Sequence, residues 1–340
     1  MAEFTGSLAF VSVFVPARNE EANILPCLRS LLNQDYPGGY EILFADDGSE
    51  DGTWRLANEL APGNPALHLF KVDPDIFPGI PGKQKALAQL CKKAKGEIFL
   101  FCDADMQMPP GWISTMAERL MAGKSDLVNG STCTETHHLL LALQALDWLL
   151  PQALMAAMSR FEIGFTAMGN NMGISRKAYL KMGGYESIPP SFTEDYELYR
   201  QASKMGFRLF HIFHTEVLGI TRPAKNLSEW FSQHLRWMMG YQKLPRFKKM
   251  PLLMNLFIWP LALLLFFLPS GLFWSKLLFI AFGLKMLLFA LSLQYIRKPK
   301  LIFWLPLYEF VYPFFYGSLL VLSSLNTTVS WKGRKINNSL

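Results

Sequence analysis

The sequence predicts an α/β domain with a mainly parallel sheet, followed by a membrane-associated C-terminal region. Short β-branched and aromatic runs alternate with helical patterns in the first part, and polar clusters follow several of these runs. Composition predicts the second part, because 51% of the 340 residues are hydrophobic, only 18% are charged, and the stretch 251–275 carries no charge. We therefore expect one domain over residues 1–245, with amphipathic interface helices, and a membrane domain over 246–340.

Four apolar runs are predicted to be the strands of the first domain. They are LAFVSVFV from Leu8, EILFA from Glu41, ALHLFKV from Ala66 and IFLFC from Ile98. Helical patterns follow the first three runs. Pro16 is expected to end the first strand, and Asn19 to cap the helix after it. Because strands that alternate with helices form parallel crossover units, we expect one open sheet.

Polar clusters follow three of these four strands. They are residues 18–21, Asp46 with Asp47, and Asp103 with Asp105. In open α/β sheets, ligands bind outside the carboxyl ends of the strands. We therefore expect the three clusters to converge on one cleft.

The middle of the chain has patterns typical of interfacial and turn-rich structure. Residues 138–160 place leucines at helical spacing with Asp147 as the internal charge, which favours a core or interfacial helix over a membrane span. The later patterns predict glycine-rich turns in 169–189, a capped helix in 191–207, a strand pair in 208–220 and an aromatic amphipathic helix in 227–242.

Three apolar segments follow, each near the roughly 20 residues that cross the hydrocarbon of a bilayer. They are 251–273, 277–296 and 301–325. Basic residues before the first segment (RFKK) and after the second (IRKPK) predict a hairpin with both ends in the cytosol. The third segment either spans, which puts the basic tail WKGRK outside, or re-enters, which keeps the tail inside. We favour the tail inside.

The N-terminus has no basic region before its short apolar run, so we expect no signal peptide. The protein is therefore predicted to be a multi-pass protein of the cell membrane whose first domain is cytoplasmic. Lys285 and Glu309 are the only charges within the second and third apolar segments. Charges at membrane depth are costly unless paired, so we expect these two to contact each other or to face a polar cavity. The alternative is that Lys285 snorkels to the interface.

The charge distribution disfavours a nucleic-acid-binding protein, and the cysteine spacing disfavours a cysteine metal site. The chain has 33 basic and 27 acidic residues, and many of the basic ones flank the apolar segments, which suits anionic lipid better than nucleic acid. Its four cysteines show no CxxC spacing, which predicts reduced thiols and no cysteine metal site. His211 and His214 have no partner motif and are predicted to be structural.

Two carboxylates in a D-x-D pattern follow the fourth strand, at Asp103 and Asp105. Both can reach one hard divalent cation, since oxygen ligands suit Mg²⁺ or Mn²⁺ and a bound diphosphate can complete the coordination. A D-x-D pattern by itself also occurs in solvated turns. The neighbouring clusters favour the site, because a carboxylate at Asp46 or Asp47 can bind a nucleoside and Lys83 can meet a phosphate at a helix start. The structural alternatives are an Asx-turn for the aspartates and a solvated helix face for the lysine.

Six motifs in order resemble those of the family 2 inverting glycosyltransferases of GT-A (Rossmann-like) fold. They are PARNEE, FADDGS, GKQKALA, CDADMQMP, TED and QHLRW, and the resemblance covers roughly residues 8–245. It is strongest to the membrane-bound branch, which includes ceramide glucosyltransferases and the cellulose, chitin and hyaluronan synthases. The resemblance implies a nucleotide-sugar donor and a bound Mg²⁺ or Mn²⁺.

The resemblance also implies a role for each motif residue. Asp195 would be the general base, next to Glu194, and Asp103 with Asp105 would hold the metal and the diphosphate. The other implied donor-binding residues are Pro16, Arg18, Glu20, Asp46, Asp47, Lys83, Gln233, Arg236 and Trp237. Acids in a first helical turn and neighbours at i,i+3 spacing are also common structural features, so capping and helix packing remain alternative roles.

We expect transfer of one sugar to a lipid hydroxyl at the cytosolic membrane face, with UDP the default nucleotide and GDP the alternative. Two or three C-terminal segments are too few to line a polymer channel, which disfavours a processive polysaccharide synthase. A catalytically silent nucleotide-binding scaffold is the alternative of another class, and the intact DAD and TED motifs disfavour it. We expect no nucleic acid and no obligate protein partner. The sequence does not identify the sugar, the lipid or the oligomeric state.

Overall fold

The computed structural model describes residues 8–191, 193–242, 244–268, 272–324, 329–331 and 334–336. The strands are β1 Val11–Ala17, β2 Tyr40–Asp46, β3 Leu67–Lys71, β4 Ile98–Cys102, β5 Met106–Gln107, β6 Leu127–Asn129, β7 Ser131–Cys133, β8 Asn171–Ser175, β9 Leu209–His211, β10 Leu218–Thr221, β11 Val329–Trp331 and β12 Arg334–Ile336. The helices are α1 Ile24–Leu32, α2 Thr53–Leu60, α3 Gly82–Lys93, α4 Trp112–Met121, α5 Leu139–Ser159, α6 Arg176–Lys181, α7 Glu194–Lys204, α8 Leu227–Gln242, α9 Arg246–Phe266, α10 Leu272–Tyr295 and α11 Leu305–Ser324.

Within these residues the main sheet has seven strands in the order β3-β2-β1-β4-β8-β6-β9. The first four strands are parallel, as predicted, and β8 runs antiparallel to both of its neighbours, so the sheet is mixed. The predicted α/β fold class is confirmed. Strands β9 and β10 form where a strand pair was predicted, but they pair with different sheets, because β9 joins β6 and β10 joins β5 and β7.

Pro16 does not end the first strand, which corrects the prediction. Strand β1 continues to Ala17, and Pro16 pairs with Ala45 of β2. Its pairing with β4 stops at Phe14. Beyond Phe14 the strand therefore has a neighbour on one side only, and a residue without a backbone N–H is tolerated at such a local edge.

Strand β8 lies in the glycine-rich stretch that was predicted to be turns. Gly173 stands between β4 and β6, where a Cβ atom would come within 2.7 Å of Leu100 Cδ2 and 3.0 Å of Val128 Cγ2. The glycine therefore allows close packing of the strand across its neighbours, which is one of the reasons for glycine inside a strand.

The core of the sheet is covered by helices with apolar faces. Ile24, Leu28 and Leu31 of α1 are fully buried, and Trp112 and Met116 of α4 are too. These residues follow the i,i+3,i+4 spacing of a helix face that packs on a sheet. The helices thus leave the carboxyl ends of β1, β2 and β4 to the loops that follow them. All four cysteines are buried.

The chain folds as two compact units. One comprises the residues up to Cys133 together with Leu154–Arg222, and the other comprises Thr134–Ala153 together with the chain from Pro223 onward. The predicted domain boundary at residue 245 stays a prediction.

Long apolar helices lie wholly or largely in the second unit. By length and composition, Leu139–Ser159, Phe273–Tyr295 and Pro299–Ser323 are each sufficient to cross a membrane. A further candidate is the pair Arg246–Ile258 and Pro260–Phe266, bent by 46° where Pro260 lacks a backbone N–H. These helices agree with the predicted C-terminal membrane segments, and α5 adds a candidate that the sequence favoured as interfacial. Part of the WKGRK tail lies outside the described residues.

Lys285 and Glu309 meet, as predicted. Lys285 Nζ lies 2.5 Å from Glu309 Oε2 and donates to Asn255 Oδ1 at 2.6 Å. The contact joins α9, α10 and α11 within the second unit. Lys285 and Glu309 are therefore partners of each other, which is the arrangement that charges at membrane depth require.

Candidate functional site

The loops after β1 and β2 are joined by hydrogen bonds at the edge of the sheet. Arg18 Nη1 donates to the Asp47 carbonyl at 3.0 Å. Asn19 has a left-handed φ of 52°, and its side chain accepts from the Glu50 backbone N–H at 2.9 Å. Asn19 therefore does not cap the next helix, which begins at Ile24; the predicted cap was wrong because the side chain is used between the loops.

Three of the other nucleoside-binding candidates lie in these loops or at the last residue of β2. The Glu20 N–H donates to Thr53 Oγ1 at 2.7 Å, and the Glu20 carboxylate accepts from Asn23. Asp46 is buried, and its carboxylate accepts from the Ser49 N–H at 3.2 Å, as in an Asx-turn. Asp47 is half-buried. Asp46 therefore shapes the turn, and Asp47 is the aspartate with a carboxylate that solvent can reach.

Lys83 joins two of the predicted carboxylates. It lies in the first turn of α3, with Nζ 2.6 Å from Asp103 Oδ1 and 3.1 Å from Glu194 Oε1. Burial opposes the charge on Lys83, but Asp103, Glu194 and Asp195 outweigh it and raise the pKa of the ammonium group. Burial raises the pKa of Glu194, against the attraction of Lys83. The structure thus brings the donor and base motifs of the sequence into one charged cluster.

The turn after β4 presents the D-x-D carboxylates. Asp103 and Asp105 are both half-buried, and Asp105 Oδ2 accepts from Thr221 Oγ1 at 3.5 Å. Among the residues that the structure describes, no group of three or more His, Cys, Asp or Glu side chains is arranged to hold a metal ion. Two carboxylate oxygens from one turn are hard ligands, and they fit a cation that takes its remaining ligands from a diphosphate and water. The donor set is therefore suited to Mg²⁺ or Mn²⁺.

Asp195 lies in the first turn of α7, next to Glu194. Its Oδ2 accepts from the Gly169 N–H at 2.9 Å and its Oδ1 from the Tyr196 N–H at 2.8 Å. A Cβ atom at Gly169 would come within 3.0 Å of Asp195 Cβ. The Asp195 side chain is half-buried, whereas Glu194 is 4% exposed. Of the two acids, Asp195 is therefore the one that an external hydroxyl can approach.

Gln84 is a residue of this region that sequence reasoning missed. It is buried; its Nε2 donates to the Tyr185 carbonyl at 2.8 Å, and its Oε1 accepts from the Ser191 N–H at 3.0 Å. The side chain thereby ties α3 to the segment that leads into α7. Its position between Lys83 and Lys85 in GKQKALA was the available signal, but only the fold shows which backbone groups it meets.

Gln233, Arg236 and Trp237 lie on α8, in the second unit. Their i,i+3,i+4 spacing puts them on one helix face, and the Trp237 ring lies 5.0 Å from that of Trp148. Their expected approach to the donor stays a prediction.

The two histidines of the first unit have structural surroundings. His211 is buried, and burial lowers its pKa to about 3. His214 Nδ1 accepts from the Glu216 N–H at 3.3 Å, at the start of the short helix Thr215–Val217. Both agree with the structural role predicted for them.

Two family models match the chain. Glycosyl transferase family 2 matches residues 12–183, and glycosyl transferase family group 2 matches residues 98–320. A β-monoglucosyldiacylglycerol synthase of Trichormus variabilis is 40% identical over 107 residues, which are 31% of this chain and 22% of that protein. An N-acetylglucosaminyltransferase of Rhizobium leguminosarum bv. viciae is 26% identical over 243 residues, or 68% of this chain and 56% of that protein.

The fold is similar to a solved structure. A mannosyltransferase from Pyrobaculum calidifontis, in complex with GDP-Man and Mn²⁺, matches with a TM-score of 0.53 at 20% identity, over 90% of this chain and 87% of that one. This likeness bears on the fold, which is GT-A. The match to the two curated relatives above spans less than two thirds of the length of either.

Proposed function

The chain belongs to glycosyl transferase family 2, and we propose that it moves one sugar from a nucleotide-sugar, expected to be a UDP-sugar, to a lipid hydroxyl at the cytosolic face of a membrane. The observation that carries the proposal is the cluster of Lys83, Asp103 and Glu194 beside Asp195. A cation for the donor diphosphate and a base for the acceptor hydroxyl are the two groups that such a transfer needs, and they are neighbours here.

On the donor side, Asp47, Arg18 and Glu20 would hold the nucleoside, on loops joined by their own hydrogen bonds. Pro16 and Asp46 would act by shaping the strand end and the turn. Lys83 would meet the diphosphate. Its ion pair with Asp103 is partly exposed, so a ligand could compete for either partner.

Asp103 and Asp105 would hold Mg²⁺ or Mn²⁺ together with the diphosphate. The ion would supply positive charge against the negative charge that develops on the departing diphosphate. The protein's part is to present two carboxylates from one turn. Asp105 is held there by Thr221, and the Asp103 carbonyl accepts from the Met106 N–H at 3.1 Å.

We propose an inverting transfer with Asp195 as the general base. A single displacement at the anomeric carbon needs one carboxylate to accept the acceptor's proton. Asp195 suits this role because it is half-buried and its carboxylate is oriented by the Gly169 N–H. Glu194 would serve the reaction by holding Lys83, since its carboxylate is buried against that ammonium group.

Two observations support a lipid acceptor. The second unit has apolar helices that are long enough to cross a membrane. The name of the Trichormus relative also describes a synthase of a glycosylated diacylglycerol. Gln233, Arg236 and Trp237 would bind the leaving diphosphate and close the acceptor entrance. The cytoplasmic placement of the first domain and the multi-pass topology are part of the same proposal.

The proposal is tested with purified full-length protein, radiolabelled UDP-sugars, Mn²⁺ and a total membrane-lipid extract. We expect one labelled glycolipid, identified by mass, that carries a single sugar. A long polymer would replace the lipid transfer by polysaccharide synthesis. Nucleotide binding without any product, from every UDP- and GDP-sugar tried, would favour the silent scaffold instead.

A further inference from the structure

A buried polar cluster in the second unit joins three helices. Asp147 of α5, His234 of α8, and Tyr308 and Tyr316 of α11 contact one another inside otherwise apolar packing. The side chains of Asp147 and His234 are 3% and 4% exposed. His234 lies in the QHLRW motif, between Gln233 and Arg236, at a position to which the proposed chemistry assigns no role.

The contacts of His234 fix the orientation of its ring. Nε2 lies 2.5 Å from Asp147 Oδ2, and Nδ1 lies 2.9 Å from the Trp230 carbonyl oxygen. The ring is edge-on to Trp237 at 4.6 Å and to Phe315 at 5.3 Å. Polar contacts at both nitrogens and aromatic contacts at the ring edges leave the imidazole one position.

The partners also determine the hydrogen-bonding roles within the cluster. A carbonyl oxygen only accepts, so Nδ1 must carry a hydrogen, and Nε2 is the nitrogen that faces the carboxylate. The hydroxyls of Tyr308 and Tyr316 both donate to Asp147 Oδ1, at 3.0 Å and 2.7 Å. Asp147 therefore contacts His234 through one carboxylate oxygen and both tyrosines through the other. A buried pair whose remaining sites are hydrogen-bonded can specify one arrangement of the elements that it joins.

We propose that Asp147 is a positioning residue that, through His234, fixes the rotation of α8 and thereby the direction of Gln233, Arg236 and Trp237. A helix turns by about 100° per residue, so fixing one side chain sets the facing of its neighbours. Trp237 is itself held between His234 and Trp148. This inference rests on the proposed function, in which those three residues bind the leaving diphosphate.

A second buried pair in the same unit offers a matched control. Lys285 and Glu309 join α9, α10 and α11 and do not involve α8. Asp147→Leu and Glu309→Leu each remove the carboxylate that contacts a buried or half-buried nitrogen group. Loss of stability is therefore common to both variants, and loss of diphosphate binding is expected only in the first.

The conservative variant Asp147→Asn should preserve the geometry. Its amide oxygen can accept from the two tyrosines, while its amide nitrogen can donate to Nε2 of a neutral imidazole that keeps its Nδ1 hydrogen. The positioning would survive without the charge. If Asp147 acted through its charge alone, Asp147→Asn would lose diphosphate binding.

The experiment measures binding of UDP, with GDP in parallel, to the full-length protein with Mn²⁺ by calorimetry, together with the melting temperature of each variant. We expect Asp147→Leu to weaken binding of the preferred nucleotide at least tenfold, and Asp147→Asn and Glu309→Leu to change it less than twofold. Equal weakening by Asp147→Leu and Glu309→Leu, or wild-type binding by Asp147→Leu, would overturn the positioning role.

Two further variants separate a failure to fold, a failure of the positioning role and a failure of the proposed function. If Asp147→Leu does not fold, the double variant Tyr308→Phe with Tyr316→Phe removes both donors to Asp147 without removing a charge. We expect at least threefold weaker binding from it, and unchanged binding overturns the proposal. Arg236→Ala reports on the proposed function itself, because wild-type binding by this variant would show that α8 does not hold the diphosphate, whatever positions the helix.

Discussion

Two lysine–carboxylate clusters in different regions of the molecule differ in what can reach them. Lys83 is shared by Asp103 and Glu194 at the end of the sheet, and the Asp103 side chain is 31% exposed. Lys285 is held by Glu309 and Asn255 among apolar helices, and Glu309 is 2% exposed. In the first cluster a ligand can therefore approach a carboxylate, whereas the carboxylate of the second cluster is buried. The first is therefore suited to binding, and the second to holding helices together.

The largest expected effect is the loss of sugar transfer when Asp195, which lies beside the first cluster, is changed. Asp195→Asn keeps the shape of the side chain and removes the group that would accept the acceptor's proton. We expect transfer to fall by about 10²- to 10⁴-fold, with nucleotide binding close to normal. Initial rates and calorimetric binding of the nucleotide check this. Loss of binding together with loss of transfer would make Asp195 a structural residue.

The next largest effect is expected on the binding of the nucleotide-sugar donor and its dependence on the cation. Asp105→Ala removes one of the two carboxylates proposed to hold Mg²⁺ or Mn²⁺, so donor binding should weaken by roughly 10- to 100-fold and lose its dependence on the cation. Binding is titrated at several Mn²⁺ concentrations, with Asp75→Ala, an exposed aspartate of another loop, as the control. Metal dependence that persists in Asp105→Ala would contradict the assignment.

The second cluster should respond in stability rather than in binding. Lys285→Ala, Glu309→Ala and the double variant form a double-mutant cycle, and we expect a coupling energy of about 1–2 kcal/mol. Unfolding in detergent micelles measures it, with nucleotide binding as the parallel readout. Zero coupling would favour a lysine that reaches the interface independently of Glu309, and impaired nucleotide binding would remove the contrast between the clusters.

The last effect concerns the stability of the chain at low pH and depends on the buried imidazole of His211. Burial lowers the pKa of His211 from 6.5 to about 3, so the unfolded chain binds a proton that the folded one does not. Its contribution to stability is complete above pH 6.5 and falls as the pH drops towards 3, by up to about 1.4 kcal/mol per pH unit.

The exposed His214 provides the control for this titration. His211→Leu should flatten the pH dependence of the melting temperature between pH 6.5 and the lowest pH at which the protein refolds, and His214→Gln should not. Identical slopes in the parent and in His211→Leu would show that other groups determine the acid sensitivity.

Local patterns predicted much of the fold. The four parallel strands, the apolar helices and the aspartates at the strand ends follow from alternation and composition, which are properties of neighbouring residues. The Lys285–Glu309 contact was predictable too, because an apolar surrounding leaves two isolated charges few other partners.

The features that were not predicted depend on contacts between segments that are distant in the chain. Gly173 is typical of a turn in sequence, and only the strands on both sides of it explain a glycine there. Pro16 was expected to end its strand, but the tolerance for it depends on where β4 stops pairing. The meeting of Lys83 with Glu194 joins residues more than a hundred positions apart, and no local pattern specifies it.

The burial of all four cysteines has a practical consequence for the topology of the chain. Thiols without solvent contact react slowly with bulky, membrane-impermeant maleimides, so the native protein should give little background labelling. Under the proposed membrane topology, a single cysteine introduced at exposed Lys300, or into the basic tail, would be modified from one side of the membrane only. The orientation of the helices can in this way be read in intact cells without first removing any native residue.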